Sequence, residues 1–66
     1  MTSLGKIQKT IVNYMKYHGG VNVLIEVSRE KPNFFGYWYK DVIRSRQLLV
    51  DRGLIKEVGE NRYSFP

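Results

Sequence analysis

The sequence predicts an α+β fold, three helices followed by a C-terminal two-stranded β-hairpin, and three observations predict it. Apolar residues recur at helical spacing over residues 3–18 and again from Phe35 to Leu49. Gly19-Gly20 and Gly53 stand just past the ends of those stretches, where a left-handed residue commonly closes a helix. Two short apolar-rich segments, 54–58 and 61–65, flank Gly59-Glu60. With 66 residues the chain has room for one domain, residues 1–66.

Leu4, Ile7, Ile11, Tyr14 and Met15 form one stripe of the first helix, opposite Lys6, Lys9, Asn13 and Lys16. Thr2 or Ser3 supplies its cap, and Lys16 and His18 suit the negative end of its dipole. Residues 21–30 read two ways. Val21, Val23, Ile25 and Val27 alternate as in a strand, whereas Leu24, Val27 and Ser28 behind an Asn22 cap read as a short helix. The helix is the expectation preferred, since a strand leaves a long structureless stretch after it. Lys31-Pro32-Asn33 is a turn, because proline has no N–H for a continuing helix. In the long helix that follows, Phe35, Trp38, Val42, Ser45 and Leu49 share one side, and Lys40, Arg44, Gln47 and Asp51 the other. Arg46 falls on the apolar stripe and is a misfit: either it snorkels at the rim or the helix packs with another rotation. The segments around Gly59-Glu60 then pair as a hairpin.

Eleven Lys and Arg against six Asp and Glu leave a net charge of +5, which points to a polyanionic partner. The basicity is spread along the chain rather than gathered in an arm. With no cysteine and one histidine, neither a disulfide framework nor a metal site is expected, and no cofactor is implied. No apolar run exceeds three residues, as in Val23 to Ile25, so no membrane span is expected and the location expected is cytoplasmic, nucleoid-associated or in a host-cell cytoplasm. His18 has no acid, base or nucleophile at a recognisable spacing, and no Gly-rich phosphate loop is present. An enzyme is not expected.

Val42 through Ile55, Val-Ile-Arg-Ser-Arg-Gln-Leu-Leu-Val-Asp-Arg-Gly-Leu-Ile, followed by Lys56-Glu57-Val58-Gly59-Glu60-Asn61-Arg62-Tyr63, resembles the end of the recognition helix and the wing of the winged helix-turn-helix family. Leu49, four before the glycine, matches an apolar position of that family; Arg46, seven before it, departs from one. Small free-standing members are frequent in phages, archaeal viruses and plasmids. The resemblance implies a sequence-specific double-stranded DNA-binding regulator, its long helix in the major groove and its hairpin on the backbone. Carried onto this chain, it makes Tyr37, Lys40, Arg44 and Gln47 candidates for reading bases, Arg44 on guanine and Gln47 on adenine, with Lys56 and Arg62 touching phosphate from the wing. One short helix gives little specificity, so a homodimer is expected.

Five aromatics, Phe34, Phe35, Tyr37, Trp38 and Tyr39, crowd six positions around Gly36. Phe35 and Trp38 are expected inside and Tyr39 at the edge, which leaves Phe34 and Tyr37 partly exposed, to be covered by a second subunit, by a different protein partner, or by the sugar and base edges of the nucleic acid. A winged-helix protein-interaction module is therefore the alternative reading, and single-strand binding a third.

Overall fold

A computed structural model describes residues 4–66. The chain runs through helix α1 (Lys6–Tyr17), strand β1 (Val23–Leu24), helix α2 (Tyr39–Asp51), and strands β2 (Lys56–Gly59) and β3 (Arg62–Ser64). The three strands form one antiparallel sheet in the order β1-β3-β2. Over the described residues the fold is thus a small α+β domain of two helices and a three-stranded sheet, not three helices and a two-stranded hairpin.

Helix α1 buries Ile11 and Met15 on the expected stripe. Thr2 and Ser3, the expected caps, lie outside the described residues; the N-cap position is Gly5, whose carbonyl accepts from Lys9 N–H at 2.9 Å. At the other end Gly19 N–H donates to Lys16 O and Gly20 N–H to Met15 O, the paired bonds of a Schellman stop. Helix α2 stops in the same way, Gly53 N–H on Val50 O and Leu54 N–H on Leu49 O.

The helix expected over residues 21–30 is absent. Val23, Ile25 and Val27 are buried while Leu24 and Glu26 are exposed, so the period-two alternation of β-branched residues decides the segment. β1 joins the sheet through Val23↔Tyr63 and Leu24↔Arg62, and Ile25 N–H continues onto Asn61 O at 2.8 Å. The connection 25–38 needs no helix to order it. Asn33 Oδ1 accepts from Ser28 N–H at 3.0 Å, Ser28 Oγ accepts from Glu30 N–H at 3.2 Å, and Phe34 is buried against the core.

The second long helix begins at Tyr39, four residues later than the wheel anchored on Phe35 implies. Residues 34–37 form a tight turn instead, with Tyr37 N–H on Phe34 O at 2.9 Å and positive φ at both central residues, Phe35 (52°) and Gly36 (79°). This turn inverts the expected sides: Phe34 is 6% exposed, Phe35 65% and Trp38 52%. The core is built from Ile11 and Met15 of α1, Val42 and Leu49 of α2, and Val23, Ile25, Val27, Phe34, Ile55 and Tyr63.

Candidate nucleic-acid interface

The side chains opposite the core set what α2 can offer. Lys40, Arg44 and Gln47 are all exposed, and their spacing of four and three residues puts them on one side within about 60°. Asp51 falls on the same side, and Gln47 Nε2 donates to its Oδ1 at 3.0 Å. The N-terminal half of this face is therefore cationic, and its C-terminal half is a self-satisfied amide and carboxylate pair. Asp41 lies in the first turn, where a carboxylate suits the helix dipole. Tyr37 is not on the helix at all; it closes the preceding turn, half-buried against the core.

The hairpin places the other two candidates on one face of the sheet. Tyr63 points into the core, so its strand neighbours Arg62 and Ser64 take the opposite face. Arg62 is exposed there, while Ser64, which pairs with the exposed Lys56, is buried with its hydroxyl accepting from Asn22 N–H at 2.8 Å. Lys56 sits at the end of β2 remote from the turn at Glu60-Asn61. Arg62 lies beside that turn, opposite Gly59, but its guanidinium folds back and donates to Asn22 O at 3.3 Å. Neither cation stands at the hairpin tip, which carries Glu60.

Arg46 does not belong to this face. It occupies the middle of the inward side of α2, where it is half-buried, and Nη1 donates to Ile25 O at 2.8 Å and to Asn61 Oδ1 at 3.4 Å. Its guanidinium also lies 4.8 Å from the ring centre of Tyr63. The misfit is a strut between α2, the exit of β1 and the hairpin turn. Burial lifts the Tyr63 phenol above its ordinary value; Arg46 opposes that, and Glu57, which accepts from the Tyr63 hydroxyl at 3.4 Å, adds to it.

One surface escaped the sequence reading. Thr10, Asn13, Tyr14 and Tyr17 of α1, with His18 and the turn residue Phe35, line an open groove of about 560 Å³. Tyr17 is 85% exposed at its rim. Phe35 holds φ 52°, a left-handed conformation that costs a bulky residue of order 1–3 kcal/mol. The exposure of Tyr17 was legible, since it falls beside Lys6 and Asn13 on the polar side of α1; that of Phe35 was not, because it depends on the turn.

Among the described residues, no group of three or more His, Cys, Asp or Glu could hold a metal ion, and no helix is long and apolar enough to cross a membrane. Comparison with protein-family models, with curated proteins and with solved structures gives no match to this chain.

Proposed function

We propose that this protein binds double-stranded DNA as a small transcriptional regulator of the winged-helix type, with α2 in the major groove and the β2–β3 hairpin against the backbone. The observation that carries the reading is the pair Lys40 and Arg44, one turn apart on the exposed side of α2, in a chain of net charge +5. The β1-β3-β2 sheet beside α2 supports the winged-helix version, with β1 and the start of the connection after it standing where the short helix over 21–30 is expected. In this reading Arg44 grips the N7 and O6 acceptors of a guanine and Lys40 a phosphate. Gln47 reads an adenine only by releasing Asp51. Lys56 and Arg62 meet phosphates from the outer face of the sheet, and Tyr37 supports the start of α2. A helix of 13 residues reads few base pairs, so two copies on two half-sites supply the specificity, in a cytoplasm where DNA is accessible.

Titration of mixed-sequence duplex DNA at two salt concentrations tests this. Arg44→Ala should cost about 1–3 kcal/mol on a preferred site and relax the preference there. Lys40→Ala should weaken all sequences alike and lower the magnitude of the salt slope by about 0.9. Equal affinity of both variants and the unaltered protein for every duplex overturns the reading.

A further inference from the structure

The geometry points to a second nucleic-acid surface, distinct from α2: the groove between α1 and the Phe35 turn takes an unpaired nucleobase of a single-stranded nucleic acid, whose phosphates lie along the lysines of α1. Three observations carry it. The lining holds aromatic rings and hydrogen-bonding side chains and no aliphatic residue, since Tyr14, Tyr17, His18 and Phe35 supply ring surface and Thr10 and Asn13 supply donors and acceptors. A base stacks on such rings and pairs its edge with an amide. Charge complementarity names the rest of the ligand. Helix α1 carries Lys6, Lys9 and Lys16, all exposed, and no acidic residue. On the helical wheel Lys9 and Lys16 flank Asn13 on the side away from Tyr14 and Phe35, so a strand held by the lysines drops a base across Asn13 into the groove. The same three cations repel a second copy of this chain at this face. Finally, the ring of Phe35 is held outward by a backbone conformation that asparagine or glycine adopts more readily, and it stands 6.0 Å from the Tyr14 ring.

Fluorescence anisotropy with a labelled oligothymidylate and an abasic strand of equal length decides it. The oligothymidylate should bind about tenfold or more tighter than the abasic strand, and Tyr17→Ser and Phe35→Asn should each remove most of that advantage while leaving abasic binding in place. Phe35→Asn should also melt no lower than the unaltered protein, because asparagine accepts the positive φ. Lys9→Gln and Lys16→Gln should each lower the single-strand salt slope by about 0.7. Lys40→Ala and Arg44→Ala should leave oligothymidylate binding unchanged, so failure of the duplex reading and failure of this one are told apart. Equal binding of the two strands, or full binding by Tyr17→Ser, overturns the proposal, and Tyr17→Ser decides it even if Phe35→Asn unfolds. Binding of polyglutamate as tight as that of the oligothymidylate assigns the face to an acidic polypeptide and overturns it too.

Discussion

Arg46 shows how one side chain can reverse the meaning of a pattern. Its carbon stem fills the inward side of α2, and its guanidinium finds the carbonyl of Ile25, the amide oxygen of Asn61 and the face of Tyr63. A charged donor bonded in this way contributes about 1.5–3 kcal/mol at most sites, so Arg46→Ala should lower the melting temperature clearly more than Lys40→Ala does. Equal melting of the two variants would leave the strut without energetic weight. Tyr63 adds a pH dependence whose sign follows from its burial. The folded chain holds the phenol proton to higher pH than the unfolded chain, so the stability it contributes is fully present below about pH 10 and is lost as pH rises through the folded value. Thermal melts across the alkaline range should therefore decline less steeply for Tyr63→Phe; parallel declines would remove the role. Gly20 and Gly19 make a matched pair. Both have positive φ, but a Cβ on Gly20 would stand 2.6 Å from Phe65 Cδ2 while one on Gly19 meets nothing within 4 Å. Gly20→Ala should destabilise by more than the roughly 1–2 kcal/mol of left-handed strain that Gly19→Ala carries alone.

At the scale of elements, the start of α2 decides which aromatic residues are core. With the helix beginning at Tyr39, Leu49 is fully buried and Trp38, at the N-cap, is half-exposed. Leu49→Ala should cost about 2–5 kcal/mol and unfold much of the population near room temperature, whereas Trp38→Ala should shift the melt by far less. A larger loss for Trp38→Ala would place that indole in the core after all. The same boundary explains what the sequence disclosed. Periodicity located both helices, their glycine stops and the hairpin, because each is a local signal of spacing or of backbone freedom. It misplaced the phase of the aromatic cluster, because a phenylalanine at φ 52° in a turn breaks the rule that bulky residues avoid that region. For 21–30 the alternation of β-branched residues is a local strand signal, but the helix reading rests on avoiding a long connection, and the partner that makes the strand stable, Tyr63 and Arg62, lies about forty residues away. Of the six candidate side chains, Lys40, Arg44 and Gln47 share a face as expected, since three- and four-residue spacing is all that this requires. Tyr37 does not join them, and the Asp51 that holds Gln47 was visible in the sequence on the same side.

Across the whole molecule, the question is whether the cations of α2 and those of the sheet act on one duplex. Lys56 and Arg62 stand on the face of the sheet turned away from the core, while Lys40 and Arg44 stand on the side of α2 turned away from it. A protein that used both on the same DNA would neutralise more phosphates than α2 alone can reach, and counterion release makes that number measurable. Lys56→Gln combined with Arg62→Gln removes two charges, and the glutamine at 62 keeps a donor for the Asn22 carbonyl that Arg62 now holds. If the hairpin lies on the backbone as a wing, the double variant should lower the magnitude of the duplex salt slope by about 1.8, twice the ~0.9 expected per phosphate, with little change in melting temperature. Adding Lys40→Ala should then lower it by about 0.9 more, since separate phosphate contacts contribute independently. A slope unmoved by the double variant but lowered by Lys40→Ala would restrict the DNA to α2 and leave the hairpin the task that Arg46, Asn61 and Tyr63 already give it, holding that helix in place.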